Sequence, residues 1–304
     1  MAIGATVVQV MIILLHSGIT SAADGLRGQR IAGGVSTTLG EYPFVLSLGL
    51  TSWAGVYHLH YCAGSILTES WTITSAKCVE DAIEDVNRYY WLAGTSNLRS
   101  MGSIHAIRQI LIHPDYDPKD SLIHDIALVK VKIPFEFSAS IQPVELWTSI
   151  SDGTPSVDSN VVAVGWGQVS QTLIQPDTLK SAEFTIITGD ACREVYSPWI
   201  EANITVYDDY QFCALSTKRA SAEEYVADVA EEEQESTFTG RHVSYRSACH
   251  GDEGGPLFLI DAGIPLCVGV VSWTYGCDSP EYPTVFVKIS AYFDWIYERT
   301  GYWI

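Results

Sequence analysis

The sequence predicts an all-β protein of the sandwich or barrel class. Short apolar runs rich in Val, Ile, Thr and aromatic residues follow one another from residue 31 onward, separated by Gly, Pro, Asn, Asp and Ser. Many short runs with frequent turn residues are typical of strands in antiparallel sheets. With 47% hydrophobic and only 17% charged residues, the chain has enough apolar side chains for a sizeable core, which excludes global disorder.

The individual strand predictions follow the apolar runs in chain order. They cover residues 42–50, 65–75, 106–112, 126–131, 161–165, 182–187 and 267–273. One helix is predicted over about residues 290–301, because Phe293, Ile296 and Tyr297 share one helical face. Ser290 is expected to cap its first turn and Gly301 to end it.

The first residues have the pattern of a secretory signal peptide, although positive charge is lacking at their start. An apolar stretch from Val7 to Leu15, too short to span a bilayer, precedes small residues that offer a cleavage site near Ala22. We therefore expect a signal peptide at 1–22, a short propeptide at 23–30 and a secreted, extracellular domain at 31–304. No later segment is long and apolar enough to predict a membrane span.

The cysteines agree with export, because disulfides persist in oxidising compartments. There are 7 of them, so one is left unpaired or pairs between chains. The sequence contains no Cys-x-x-Cys pair and no clustered histidines, so the spacing predicts no metal site. Nothing in the sequence indicates a cofactor.

The charge is strongly unbalanced. The 17 basic and 36 acidic residues give a net charge of −19, which disfavours nucleic acid and anionic membranes and weakly favours cationic partners. The same charge also fits a role in solubility alone. An acidic stretch at about 216–245 lacks strand periodicity, and we expect a solvated loop or short frayed helix inserted in the domain.

Four short segments occur in an order and spacing that resemble the chymotrypsin/trypsin family of serine proteases. They are Arg30-Ile31-Ala32-Gly33-Gly34, the pair Cys62–Leu67 and Trp71–Cys78, Asp125–Lys130, and Cys249–Leu257. Gly165-Trp166-Gly167 and Ser272-Trp273 add to the resemblance, which extends from about residue 31 to about residue 301.

The resemblance implies two packed, six-stranded antiparallel β-barrels with a site in the cleft between them. The barrels are expected at about 31–145 and 146–289. It also implies the disulfides Cys62–Cys78, Cys192–Cys213 and Cys249–Cys277, with Cys267 left over. Because Cys267 lies in an apolar strand, we expect a buried, inert thiol.

The catalytic positions of the family are altered. Where the family has histidine, aspartate and serine, this sequence has Lys77, Asp125 and Glu253. A lysine with an ordinary pKa of about 10.4 stays protonated near neutral pH and cannot act as the base. Attack by a carboxylate on an amide would yield an anhydride less stable than the substrate, and its charge would repel an oxyanion at the Gly251 position. We therefore predict a pseudoprotease.

Lys77, placed between Asp125 and Glu253, is expected to form an ion-paired network that fills the old site. Unrelated surface charges are the alternative. A further hypothesis is that the two carboxylates act as a glycosidase pair. The lysine between them and the lack of a sugar-binding context disfavour it.

The substrate pocket and the activation residues also follow from the resemblance. Ser247 is expected at the pocket base, Ser272 remains, and threonine replaces glycine at the walls, at Thr274 and Thr284. These changes narrow the pocket and do not suit an Arg or Lys side chain. For activation, cleavage after Arg30 would free an Ile31 amine that pairs with Asp252.

Two further residues attract attention. His124 neighbours Asp125, but adjacent residues on a strand point to opposite faces, so we expect a structural role. Asn203 begins an Asn-Ile-Thr sequon, a candidate for glycosylation in an exported protein.

Three functions stay open at this stage. The first is a non-catalytic, monomeric homologue that binds another protein as a decoy, inhibitor or cofactor. The second is a serine-type endopeptidase with altered or residual activity. The third is a vestigial protein with no specific partner.

Overall fold

The computed structural model describes residues 34–51, 58–100, 102–148, 155–168, 175–197, 205–216, 247–277 and 281–302. The expected signal peptide and propeptide, the activation residues Arg30 and Ile31, the sequon at Asn203 and nearly all of the acidic insertion lie outside these residues. Within the described part of the chain, no helix is both long and apolar enough to cross a membrane.

The first barrel is a closed, antiparallel, six-stranded sheet. Its strands are β2 (Val45–Leu50), β3 (Leu59–Ile66), β4 (Trp71–Thr74), β5 (Tyr89–Ala93), β6 (Ser103–Ile112) and β7 (Ala127–Val131), paired in the order β2-β3-β4-β7-β6-β5. Trp91 is fully buried inside and packs over Gly64, at which a Cβ atom would lie 2.6 Å from the indole ring. The interior is therefore filled by side chains, as expected for a barrel of this size.

The second barrel is also closed and antiparallel. Its strands are β9 (Asn160–Gly165), β10 (Lys180–Ile187), β11 (Gln211–Leu215), β12 (Pro256–Asp261), β13 (Ile264–Trp273) and β14 (Thr284–Lys288), paired in the order β9-β10-β11-β14-β13-β12 and closed by β12 on β9. Two short strands join it from outside: β1 (Val35–Ser36) pairs with β10, and β8 (Glu145–Leu146) pairs with β13. The predicted two-barrel fold is confirmed.

The apolar runs located most strands of the two barrels but not all of them. The predicted strand 65–75 was wrong as a single element, because it spans the turn between β3 and β4. Strands β5, β11, β12 and β14 were not predicted from the apolar runs, and neither was the helix α1 (Gly189–Tyr196), which Thr188 caps through its hydroxyl. Residues 34–36 belong to the second barrel through β1, although they fall within the range expected for the first.

The C-terminal helix α2 (Phe293–Thr300) follows a 3₁₀ turn at Ile289–Tyr292. The expected cap at Ser290 was wrong, because Ser290 lies inside the 3₁₀ turn and the helix begins after Tyr292 without a side-chain cap. Gly301 ends the helix in the left-handed conformation, at φ 67°, as expected.

An apolar layer joins the two barrels. Phe44 from the first barrel meets Phe258 from the second, with ring centroids 5.4 Å apart, and Tyr42 packs against the same ring. Val164, Val270 and Ile296 extend the layer toward α2. The site described below lies at the edge of this layer, where loops from both barrels meet.

Three disulfides are present, and they are the pairs that the resemblance implies: Cys62–Cys78, Cys192–Cys213 and Cys249–Cys277. The first ties β3 to the residue after Lys77, and the third ties the loop of Glu253 to the residues after β13. Cys267 is free and buried, and burial raises the pKa of its thiol to about 12. This is the inert thiol that the sequence predicts.

The packing of Gly64 against Trp91 generates a stability prediction. A Gly64→Ala substitution places a methyl group against the indole and should lower the free energy of unfolding by about 1–3 kcal/mol. Urea unfolding followed by tryptophan fluorescence measures this. Adding Trp91→Leu should recover part of the loss, because the smaller side chain leaves room for the methyl group. If the losses of stability in the Gly64→Ala and Trp91→Leu single variants simply add in the double variant, the steric explanation is wrong.

Candidate functional site

Three loops bring Lys77, Asp125 and Glu253 together in the cleft between the barrels. Lys77 lies in the turn after β4, Asp125 just before β7, and Glu253 in the tight loop before β12. A Cβ atom at Gly254, which has φ +81°, would lie 2.3 Å from the carbonyl oxygen of Ala63. Only glycine allows the loop to approach the first barrel this closely.

Asp125 is fully buried and held by three donors. Its Oδ1 accepts hydrogen bonds from the Ser75 hydroxyl at 2.6 Å and the Lys77 backbone N–H at 2.8 Å, and its Oδ2 accepts one from the Ser272 hydroxyl at 2.6 Å. Burial raises the pKa of Asp125, and these three hydrogen bonds and the charge of Lys77 oppose the rise. The donors satisfy the carboxylate without an imidazole.

The Lys77 ammonium pairs with Glu253, with Nζ 3.3 Å from Oε1. Among the described residues this is its one ion pair within 4 Å, so Lys77 meets Asp125 through its backbone and not through its side chain. The predicted network with the ammonium between two carboxylates was therefore wrong in part. The backbone turn that places the Lys77 N–H on Asp125 directs the side chain away, toward the second barrel.

The Glu253 carboxylate lies on the amide of Gly251, the residue expected at the oxyanion-hole position. Its Oε2 accepts the Gly251 N–H at 2.6 Å, while Lys77 and His250 approach Oε1 at 3.3 and 3.6 Å. Burial opposes ionisation, but His250, the Lys77 charge and the backbone amides of Glu253 and Gly251 outweigh it and lower the pKa of Glu253 to about 2. The carboxylate is thus an internal anion on donors that could otherwise stabilise an oxyanion.

A chain of hydrogen bonds holds the other side of the Gly251 peptide. His60 Nε2 donates to the Gly251 carbonyl at 2.9 Å, and its Nδ1 lies 2.5 Å from the Ser47 hydroxyl. That hydroxyl is 2.6 Å from His58 Nε2, and His58 Nδ1 is 2.9 Å from the Tyr90 hydroxyl.

The direction of this chain follows from its last acceptor. A carbonyl can only accept, and burial lowers the pKa of both His58 and His60 to about 4, so both rings are neutral near pH 7. Tyr90 then donates to His58, His58 to Ser47, Ser47 to His60 and His60 to the Gly251 carbonyl, so that the three members between the ends each donate once and accept once. The sequence did not predict this chain, and the spacing of His58 and His60 at the start of the strand before Cys62 was its one available sign.

Asp252 lies in the wall behind the loop. It is buried, and it accepts hydrogen bonds from the Gly167 N–H at 2.7 Å and the Cys249 N–H at 3.0 Å. Burial raises its pKa from 3.8 to about 7, which the two amides only partly offset. The pairing with Ile31 stays a prediction, because Ile31 lies outside the described residues.

The residues expected around the substrate pocket are buried or half-buried. Ser247, Ser272 and Thr284 are buried, and Thr274 is half-buried at the end of β13. The Ser272 hydroxyl is committed to Asp125. That Thr274 and Thr284 narrow the pocket stays a prediction.

The sequence of this chain matches a known protein family. The sequence model described as trypsin matches residues 31–225 and 215–296. The chain belongs to the trypsin family.

Individual relatives agree with the family assignment. Trypsin-1 of Astacus astacus is 30% identical over 270 residues, which are 88% of this chain and 98% of that protein. Trypsin epsilon of Drosophila erecta is 30% identical over 285 residues, 91% of each chain, and a trypsin of Phaedon cochleariae is 26% identical over 272 residues, 89% of this chain and 88% of that protein.

In this trypsin-family chain the His124 side chain packs against other side chains, as expected for a structural role. The expected reason, its position on a strand next to Asp125, was wrong. His124 precedes β7 in a left-handed conformation, with φ 56°, and is not part of a strand. Its Nδ1 lies 2.9 Å from the Tyr292 hydroxyl, and its ring stacks on His113. The side chain therefore packs toward α2.

An open cavity of about 290 Å³ lies on one side of Glu253. Its walls include His60, Tyr61, Lys77, Gln168 and His250. Among the described residues no group of three or more His, Cys, Asp or Glu side chains is arranged to hold a metal ion.

The burial of Asp252 generates a prediction for the chain not cleaved at Arg30. Its pKa is raised from 3.8 to about 7, so the folded protein holds this proton more tightly than the unfolded chain. The contribution of Asp252 to the free energy of unfolding should then fall as the pH rises from about 4 to about 7, opposite in sign to the contributions of the buried, neutral His58 and His60. In thermal unfolding scans Asp252→Asn should remove this falling contribution, so that stability changes more positively with pH than in the unaltered chain, whereas Asp261→Asn, at an exposed position, should leave the slope unchanged. An unchanged slope in Asp252→Asn would contradict the assignment.

Proposed function

We propose that this protein is a secreted, non-catalytic member of the trypsin family that acts by binding another protein, as a decoy, inhibitor or cofactor. The observation that carries the proposal is the Glu253 carboxylate on the Gly251 amide, with the Lys77 ammonium as its partner. An oxyanion formed in acyl transfer needs that amide, and a second negative charge there is repelled.

The proton-transfer groups support the same proposal. A general base must accept a proton within hydrogen-bond reach of the nucleophile. Lys77 donates from its side chain to Glu253 and from its backbone to Asp125, so position 77 presents donors where a general base must present an acceptor. Asp125 keeps its donors from Ser75, Ser272 and the Lys77 amide, but position 77 is lysine, so there is no imidazole for it to orient.

Secretion is the second part of the proposal. Three disulfides favour an oxidising compartment, and the first residues have the pattern of a signal peptide. A protein partner is favoured over nucleic acid or an anionic membrane by the net charge of −19.

An endopeptidase with altered or residual activity is the competing function. The trypsins among its relatives and the complete set of hydrogen bonds around Asp125 favour it. On this hypothesis the frame of the active site would still support turnover.

The test uses a chain cleaved immediately before Ile31 by a site-specific protease. We expect no hydrolysis of mixed peptide libraries and no labelling by a fluorophosphonate probe, in which a serine oxygen bonds to phosphorus and fluoride leaves. The Lys77→His, Glu253→Ser double variant should be labelled at least about 100-fold faster than either single variant, because base and nucleophile act as a unit.

The single variants are the matched controls for that experiment. Glu253→Ser alone has a hydroxyl but no base, and Lys77→His alone has a base but no hydroxyl. Turnover by the unaltered chain, abolished by Glu253→Ala, would overturn the non-catalytic proposal in favour of altered activity.

A further inference from the structure

Two histidines stack on each other where the loop after β6 meets the segment before β7. His113 follows β6 and His124 precedes Asp125, and their ring planes lie 16° from parallel, with centroids 4.9 Å apart. Both rings are half-buried, and neither lines the open cavity. We call this pair and the aromatic side chains around it the His113–His124 junction, which consists of His113, His124, Tyr210, Tyr292 and Trp295.

The junction connects the first barrel to the second barrel and to the C-terminal helix. Trp295 of α2 lies against His113, with ring centroids 5.1 Å apart, and the Tyr292 hydroxyl lies 2.9 Å from His124 Nδ1. Tyr210, just before β11, packs on His124 from the other side, at 4.4 Å between centroids. The two imidazoles are therefore the point at which these three parts of the chain meet.

The segment that carries His124 has a strained backbone. Ser121, Leu122 and His124 have φ values of 51°, 50° and 56°. This left-handed conformation is costly for residues other than glycine, and it persists only where the surroundings hold it. The Ser121 hydroxyl is held by the Thr205 N–H, which donates to it at 2.7 Å, and His124 is held by its stack on His113. The segment can therefore relax when the stack weakens.

Both rings of the stack are neutral near pH 7. The backbone N–H of Asp115 donates to His113 Nδ1 at 3.3 Å, and only an unprotonated nitrogen can accept it. Burial lowers the pKa of both histidines from the ordinary value of 6.5, and charge on His124 lowers the pKa of His113 further. A first proton on the stack therefore opposes the second, because two imidazolium rings at this distance repel.

The surrounding charges do little to compensate a doubly protonated stack. Asp115 raises the pKa of each histidine, but burial has the larger effect on both. Burial also raises the pKa of Tyr292, which is further raised by Tyr210, Asp125 and Asp115, so this phenol is uncharged. Among the described residues no carboxylate forms an ion pair within 4 Å of either imidazole. The charged residues of α2 and those next to Tyr210 are exposed, namely Asp294, Glu298, Arg299, Asp208 and Asp209.

We propose that the His113–His124 junction is an acid-sensitive contact that holds α2 and residues 121–124 in place at neutral pH and releases them when both rings are protonated. Protonation removes the acceptor for the Asp115 N–H and places two like charges in one half-buried stack. In the released state each imidazole recovers its ordinary affinity for protons, so release becomes more favourable as the pH falls below about 6.5. The inference goes beyond the proposed function, because it holds whether the cleft cleaves a partner or only binds it.

Hydrogen–deuterium exchange of the full secreted chain, followed by mass spectrometry, tests the release. Protection factors are corrected for the intrinsic effect of pH on exchange and compared at about pH 7.5 and about pH 5. Peptides covering α2 and residues 121–124 should lose at least about 10-fold in protection at the lower pH. A peptide covering β4 in the first barrel should lose less than about 2-fold, because the release is local.

Two variants identify the titrating groups. His113→Phe keeps an aromatic ring in the stack and cannot take up a proton, so the loss of α2 protection should shrink at least about 3-fold. Adding His124→Asn, which tolerates the left-handed backbone, should bring the loss below about 2-fold. The matched control is His105→Phe, because burial also lowers the pKa of His105 but its ring packs on Phe135 and does not touch α2. This control should lose α2 protection as the unaltered chain does, and thermal unfolding at neutral pH establishes that each variant is folded.

Each outcome decides for or against the junction. Unchanged α2 protection in the unaltered chain at the lower pH overturns the proposal, and so does a loss at β4 as large as that at α2, which would mean that the whole chain unfolds. An equal loss in His113→Phe and the unaltered chain assigns the effect to other groups and also overturns it. A loss confined to α2 and residues 121–124, which His113→Phe reduces and His105→Phe does not, supports the proposal.

Discussion

The contact between the Glu253 carboxylate and the Gly251 amide is the interaction on which the organisation of the cleft depends. It fixes the N–H side of that peptide, while the His60 ring fixes its carbonyl side. The loop is therefore held on both faces by side chains of the chain itself. Because Glu253 also takes the Lys77 ammonium, one carboxylate links the loop of the second barrel to the turn after β4 in the first.

The three carboxylates of the site differ in how their charge is stabilised. Glu253 has amides and cations, which keep its pKa at about 2, whereas Asp252 has two amides only and its pKa rises to about 7. Asp125 is an intermediate case, because complete burial raises its pKa while three hydrogen-bond donors oppose the rise. Although position 77 carries lysine and no imidazole, the Asp125 carboxylate is fully hydrogen-bonded, because Ser75, Ser272 and the Lys77 backbone amide donate to it.

The arrangement separates the cleft into two parts with different chemistry. On one side, the amide that would meet a reacting carbonyl is occupied from within. On the other side, the cavity by Tyr61 is open, and the Gln168 oxygen at its wall has no hydrogen-bond partner among the described residues. Under the proposed function, a partner bound in the open part would gain affinity without any demand for catalysis.

The strand runs and turn residues by themselves determined the all-β class, and the resemblance that the ordered motifs carry added the two barrels and the three altered positions. The sequence did not predict the edge pairing of β1, the start of α2 after Tyr292 or the left-handed His124. Only the tertiary structure decided where the charged side chains point. Lys77 and Glu253 are 176 residues apart, and whether the ammonium meets Asp125 or Glu253 depends on the turn after β4. The tight approach of Gly254 to the first barrel likewise fixes the position of the loop in which Glu253 meets the Gly251 amide.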